Sequence, residues 1–291
     1  MNGELAALLA LLDDDNERVA EAVATRLAEL GEAAREGLRE VARDGNPRQR
    51  ARAREIEVGL ERVAALARLA EFAREPIRDL EEGAILLAAL AFPGTDAAAL
   101  RRRLDELASD LAPAVRGAWP GEGRLRAFLK GFHGTRGFGG DRRDYESLAN
   151  DFLPGVLERR RGIPITIALL HVLVGRRLDL DFGILGLPGH AISRFRERRF
   201  TGYVDGFDGG QTWSDTKVLA FLAGQGYQGD AARPFLRPLA PRHVLARMAR
   251  NAEGHAAARG LTDLSRLLGA ARQHLEIYEI RDRDAGETGH A

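Results

Sequence analysis

The stretch Phe182-Gly183-Ile184-Leu185-Gly186-Leu187-Pro188-Gly189-His190-Ala191-Ile192-Ser193-Arg194-Phe195 decides the fold. Two β-rich runs flank Pro188-Gly189, a pair that reverses a chain because proline presets φ and glycine accepts a positive one. A third run follows the charged turn Glu197-Arg198-Arg199. Strands are therefore expected at 182–187, 191–195 and 200–204, in one short antiparallel sheet. Before them, 156–180 reads as a helix whose apolar body begins at Ile165. After them, helices are expected at 215–223 and from Pro241 onward.

The rest of the chain is helical in pattern. Residues 3–74 are rich in Ala, Leu, Glu and Arg, with Val19, Val23, Leu27 and Leu30 at helical spacing. Asp13 to Asn16 supplies N-cap chemistry, Gly31 sits where a C-cap glycine belongs, and Asn46-Pro47 repeats the start signal. Two helical hairpins are expected there. Further helices read at 80–92 and 96–111, the second with Leu100, Leu104, Leu107 and Leu111 on one stripe. The glycine-rich stretch 131–144 reads as a flexible surface loop. It lacks the Gly-Lys-Ser/Thr of a phosphate loop, and no strand leads into it. The fold class expected is α+β, helix-rich, with a short antiparallel sheet.

Composition removes several chemistries. The 291 residues are 45% hydrophobic and contain no cysteine, which excludes disulfides, thiolate metal sites and a thiol nucleophile. Lys and Arg total 43 against 43 acidic residues, so a chain-wide polyanion footprint is not expected and no nucleic-acid partner is assigned. Arg48, Arg50, Arg52 and Arg54 form a local basic cluster, read either as a solvated face or as a dock for an acidic partner. No apolar run reaches the ~20 residues that cross a bilayer, and the start Met1-Asn2-Gly3-Glu4 lacks a basic leader region. A soluble, cytoplasmic protein is the expectation. His171 and His190 with Asp205 or Asp208 follow no metal-binding spacing, so neither metal nor cofactor is expected, and His171 reads as a core residue.

His190 follows the Pro188-Gly189 turn, and Asp205 ends the next strand. If those strands pair, the two side chains meet at one end of the hairpin, as a base and the carboxylate that orients it do. An ordinary turn histidine and turn aspartate fit the same spacing.

Motifs across the chain then resemble one family. Asn150, the run Val156-Leu157-Glu158-Arg159-Arg160-Arg161-Gly162-Ile163-Pro164-Ile165-Thr166, the tetrad Leu187-Pro188-Gly189-His190 and the run Val204-Asp205-Gly206-Phe207-Asp208-Gly209-Gly210 are similar, in order and spacing, to the SirB-type branch of the transglutaminase-like superfamily. The resemblance covers about 76–225. It implies a papain-like α+β core, with His190 and Asp205 at the family's histidine and aspartate positions. The nucleophilic cysteine would fall at 164–166, where Thr166 is the only hydroxyl. Thr166 has two readings, a vestigial or candidate nucleophile and a helix-capping residue. Glu158, Arg160, Asn150 and Asp208 are the remaining site candidates, with Glu158 and Arg160 expected to form ion pairs with each other or with neighbouring loops. Gly206 stands where the family usually has proline, which predicts a less rigid turn after Asp205.

The implied organisation is a HEAT-like segment at 1–75, a transglutaminase-like domain at 76–235 and C-terminal tetratricopeptide-like helices at 236–291 with a frayed tail. Within the middle domain, 76–130 is a helical subdomain, 131–149 the glycine-rich loop and 150–235 the core. The function this implies is non-catalytic binding of a protein partner. A hydrolase or amidase in which His190 and Asp205 activate Thr166 or a water is the alternative.

Overall fold

The computed structural model describes residues 3–77 and 79–287. They divide into two compact units, one running through Arg68 and including Phe92–Gly94, the other comprising Leu69–Ala91 and the chain from Thr95 on.

The first unit is all helix: α1 (Gly3–Ala10), α2 (Glu17–Leu30), α3 (Glu32–Asp44) and α4 (Pro47–Phe72), the last continuing into the second unit. Its boundaries follow the sequence signals. Asn16 caps α2 by accepting from the Arg18 amide at 3.0 Å, Gly31 turns the chain between α2 and α3 at φ 58°, and Pro47 opens α4. Leu9, Leu12, Val23, Leu27, Leu38 and Ile56 form its core. The arginine cluster is largely committed within this unit. Arg48 pairs with Asp15, Arg50 donates to the Gly45 carbonyl, and Arg52 donates to the Leu12 and Asp14 carbonyls at 2.9 and 2.7 Å.

In the second unit, α5 (Leu80–Ala91), α6 (Ala97–Arg116) and α7 (Glu122–Leu129) lead to a single π-turn at Lys130–Thr135 and a two-residue strand, β1 (Gly139–Gly140). Then come α8 (Leu153–Arg159), β2 (Arg161–Gly162) and α9 (Pro164–Arg177). The helix expected over 156–180 is therefore two helices. Arg160 leaves the helix at φ 57°, and Pro164, which disfavours helical backbone in the residue before it, holds Ile163 extended. β1 and β2 pair in parallel through Gly139↔Arg161 and Gly140↔Gly162.

The antiparallel sheet follows as expected, with one strand more: β3 (Asp181–Leu187), β4 (His190–Glu197), β5 (Phe200–Asp205) and β6 (Gln211–Trp213), in that order. Helix α9 packs on one face, where Ser193 and Phe195 point inward. On the other face, α10 (Asp215–Gly224) and a 3₁₀ segment at Gly229–Leu236 cover Leu185, Ile192 and Tyr203. The C-terminal pair is α11 (Pro241–Ala258) and α12 (Thr262–Glu287). The tail expected to fray from Asp282 is helical through Glu287, and residues 288–291 lie outside the described ones. Among the described residues no helix is long and apolar enough to cross a membrane.

The glycine-rich stretch is a wall of the core, not a surface loop. Phe132 and Phe138 are buried and stack at 4.6 Å between ring centres. Glycines permit the approach: a Cβ on Gly131 would collide with Leu111, and one on Gly140 with the Phe207 ring. Phe132→Ala is expected to destabilise the protein by about 3–5 kcal/mol, the cost of an aromatic-sized core cavity. Chemical denaturation measures it, and a cost below about 1 kcal/mol would return the segment to the surface.

Candidate functional site

The β3–β4 hairpin turns through Pro188-Gly189, with Gly189 at φ 66° and Leu187 paired to His190. Arg247 of α11 fixes this turn from behind. One guanidinium nitrogen donates to the Leu187 carbonyl at 2.9 Å and to the His190 carbonyl at 2.6 Å. His190 Nε2 lies 2.9 Å from Asp205 Oδ2. Burial alone would raise the Asp205 carboxyl. The His190 contact and the amides of Asp208 and Phe207 outweigh it and hold the pKa below the ordinary range. An ionised carboxylate only accepts, so Nε2 carries the proton and Nδ1 of neutral His190 keeps its lone pair. The structure thus brings His190 and Asp205 together in the arrangement of a base and its orienting carboxylate.

An open cleft of about 720 Å³ lies over them, walled by Tyr145, Pro164, Phe207, Trp213 and Phe221. His190 stacks near Trp213 and has Phe207 edge-on, with centroids 6.1 and 6.5 Å away. Two cations stand on the rim, Lys217 over Trp213 at 4.5 Å and Arg142 over Phe207 at 5.2 Å. Arg142 also pairs with Asp208 at 2.9 Å, which places Asp208 on the rim as a partner of that cation.

Thr166 is not in the cleft. It is fully buried in α9, and its hydroxyl donates to the carbonyls of Asn150 (2.7 Å) and Ile163 (3.0 Å). Its role is structural, though it caps no amide: it ties the first turn of α9 to the segment before α8. The α9 residue on the cleft wall is Pro164, which has no nucleophilic atom.

The other candidates separate. Asn150 is buried, donating to the Asp144 and Tyr145 carbonyls and accepting from Arg159 at 3.0 Å. Arg159 also pairs with Asp141 at 2.6 Å. Arg159, and not Glu158 or Arg160, closes this clamp. Arg160 is the left-handed residue ending α8, and Glu158 and Arg160 are both exposed. The clamp shapes the segment that carries Tyr145 and Arg142 to the cleft. Gly206 does not loosen the Asp205 turn. A Cβ there would stand 2.6 Å from Ile167 and 2.9 Å from His171, so glycine lets the turn sit on α9. Gly140 donates to the Phe207 carbonyl at 2.9 Å and Gly210 to the Asp205 carbonyl at 3.0 Å.

Beneath that turn runs a chain of polar groups that spacing did not reveal. His133 Nδ1 meets the Phe138 carbonyl at 2.8 Å, His133 Nε2 meets His171 Nε2 at 2.9 Å, and His171 Nδ1 meets Ser193 Oγ at 2.8 Å. The carbonyl accepts only, so His133 Nδ1 donates. His171 Nε2 then donates to His133, and Ser193 donates to His171. Every ring is neutral in this arrangement. Burial depresses both histidines, and for His171 the neighbouring His133 adds to the effect. A second pair joins His255 of α11 to buried Asp151 at 2.8 Å. Its hydrogen bond to Asp151 raises the His255 pKa, while burial pushes the Asp151 carboxyl up.

With this geometry in view, the family described as the transglutaminase-like superfamily matches residues 98–250, just over half of the chain. The chain belongs to the transglutaminase-like superfamily. Its relatives include a UPF0162 protein of Haemophilus influenzae, 30% identical over 116 residues, covering 40% of this chain and 43% of that protein. A UPF0162 protein of Vibrio cholerae is 28% identical over 169 residues, 57% of this chain and 59% of the relative. The human F-box only protein 21 is 34% identical over 71 residues, 24% of this chain and 11% of that protein. The chain thus spans about half the length of the UPF0162 relatives it matches. No solved structure matches it. In this transglutaminase-like chain the residues that line the cleft come from five separated segments; His190 and Asp205 follow from spacing, and Asp208 from the resemblance.

The neutral histidine chain makes a signed pH prediction. His133 and His171 have folded pKa values below the unfolded value of about 6.5, so their contribution is complete above it and is lost as pH falls through it. His255, with a raised folded pKa, contributes fully below about 6.5 and loses that contribution as pH rises. The histidine chain by itself therefore lowers the melting temperature between about pH 7 and pH 5, by roughly 2–4 °C per kcal/mol lost, against the opposite contribution of the His255–Asp151 pair. In His133→Gln/His171→Gln that acid limb should flatten, whereas an unchanged slope would remove the histidine chain as its cause.

Proposed function

We propose that this transglutaminase-like protein is a binding protein of the SirB-type branch, whose cleft holds a protein partner beside His190 without bonding to it covalently. The observation that carries this reading is the start of α9. The family's nucleophile belongs there, and here the residue on the cleft wall is Pro164 in a chain without cysteine. Covalent acyl transfer needs a group that His190 can activate. The neighbouring hydroxyl, Thr166, is buried, and its proton is directed to the Asn150 and Ile163 carbonyls. What remains is suited to recognition: an oriented imidazole acceptor, aromatic walls and two rim cations. Partner, branch and cytoplasmic location are all parts of this proposal.

The flanking helices enter the same reading. The α2–Gly31–α3 hairpin supports a HEAT-like description of the first unit, and the packed pair α11 and α12 supports a tetratricopeptide-like one for the C-terminal helices. Through Arg247, α11 sets the turn that presents His190, so the C-terminal pair works as a brace for the cleft.

One observation favours a second reading. His190 Nδ1 keeps a free lone pair while Asp205 holds Nε2, the state of a general base for a water. Two measurements separate the readings. The wild-type chain should release no ammonia from glutaminyl peptides and no p-nitrophenol from p-nitrophenyl acetate above the His190→Ala background, and turnover abolished by that substitution would establish the hydrolase instead. The chain has two tryptophans, and Trp119 lies fully in solvent, so Trp119→Phe leaves Trp213 as the sole indole, reporting on the cleft. Titration with a pool of short peptides should change its emission saturably, and His190→Ala should weaken the response at least about tenfold, a loss of about 1.4 kcal/mol. No response at millimolar peptide would contradict binding at this cleft.

A further inference from the structure

The first unit carries a groove of about 700 Å³ that lies wholly within it, between α2 and α4. Buried Leu12 and Ile56 are part of its lining. From α2 the wall is built of alanines four residues apart, Ala20, Ala24 and Ala28. From α4 it is built of Gly59, Leu60 and Val63. Nothing stands within 4 Å of the Cβ position of Gly59, so the α4 wall is open where a side chain would otherwise project. Val63 leaves 64% of its surface in solvent, a large β-branched side chain held at the mouth of an apolar trough.

The charge lining this trough is mostly negative, three glutamates against one arginine. Glu17 and Glu21 stand on its α2 side and Glu55 on its α4 side, all exposed, and none forms an ion pair among the described residues. The one cation in the lining, Arg52, donates to the carbonyls of Leu12 and Asp14 and thereby anchors the chain before α2. Three carboxylates against this one guanidinium leave the lining net negative. A docking surface on this unit would complement the sign opposite to the one the arginine-rich sequence suggests.

The dimensions fit a helix. The α2 wall from Ala20 to Ala28 runs about 12 Å and the α4 wall from Arg52 to Val63 about 16 Å, at 1.5 Å per residue, which accommodates roughly three helical turns. Small residues on the walls allow close axial approach, and an apolar trough between charged rims is the form that receives the apolar face of an amphipathic helix. Lysines or arginines flanking that face would meet Glu17, Glu21 and Glu55, setting orientation and speeding encounter.

We propose that the α2–α4 groove is a docking site for a basic amphipathic helix of a partner protein. It goes beyond the cleft reading and stands independently of it, because none of its residues lines the cleft.

The test uses the full chain and a fluorescein-labelled 14-residue helical peptide with leucines at i, i+3, i+4, i+7 and i+11 and lysines on both flanks. Anisotropy should rise saturably, and the Kd should weaken with added salt, as rim ion pairs require. Glu17→Lys/Glu21→Lys/Glu55→Lys should raise the Kd at least tenfold. Gly59→Leu should do the same by filling the trough, at a position where leucine favours the helix more than glycine does. His190→Ala should leave the Kd unchanged, so that failure of the groove and failure of the cleft are told apart. Equal affinity for the same peptide with glutamates in place of lysines would overturn the proposal. So would a Kd that moves less than twofold in both groove variants. Concentration-dependent self-association abolished by Val63→Asp would also overturn it, since the occupant would then be a second copy of the chain.

Discussion

Twelve consecutive residues of α9, Pro164 to Gly175, are buried on all sides, and this constraint organises the second unit. A helix enclosed in this way cannot leave a polar side chain unmatched, because an unpaired buried donor or acceptor costs about 1–3 kcal/mol. It contains two polar side chains, Thr166 and His171, and each determines part of its surroundings. Thr166 ties the helix start to Asn150, whose side chain gathers the Tyr145 segment. His171 links Ser193 of β4 to His133 of the π-turn, drawing the glycine-rich wall against the sheet. The glycines that pack here, Gly206 on His171 and Gly210 on His133, sit where a methyl group would collide with those rings. The turn bearing Asp205 is thus held by the same polar chain that satisfies the helix interior.

The legible part of this structure is the part with short-range causes. Pro188-Gly189 between β-rich runs announces the β3–β4 hairpin, and the pairing of β4 with β5 across Glu197-Arg198-Arg199 places His190 beside Asp205, so fold class and dyad both follow from neighbouring residues. Cap signals at Asn16, Gly31 and Pro47 mark the first helices for the same reason. The glycine-rich segment was opaque because its burial comes from two phenylalanines and from missing side chains, and composition reads missing side chains as a loop. Strand β6 was too short, at three residues, to carry a periodicity. The clamp residue is Arg159, whereas the resemblance singled out its neighbours Glu158 and Arg160, and Arg160 turns left-handed at the end of α8. Trp213, Phe207, Phe221 and Tyr145 meet only through tertiary packing, which no local pattern encodes.

The site that results sets an imidazole and a carboxylate under an open cleft. Its base, orienting carboxylate and cleft are in place, and the two ends of the His190 turn are pinned by an arginine from a distant helix. The α9 residue on the cleft wall, Pro164, offers no attacking atom. The rim cations and the aromatic walls retain a surface for a ligand, and the first unit adds a separate acidic groove.

On the proposed reading this cleft is a transglutaminase-like site without its nucleophile, and Pro164 stands on the wall at the helix start where that group would fall. Pro164→Cys tests it most directly, through the pH dependence of thiol alkylation by iodoacetamide. A thiol beside His190 at a helix start should ionise well below the ordinary ~8.5, so alkylation should be fast at pH 6 and slow at least tenfold when His190→Ala is added. Alkylation that follows an ordinary thiol titration and ignores His190 would show that α9 does not face the dyad, and would contradict the account.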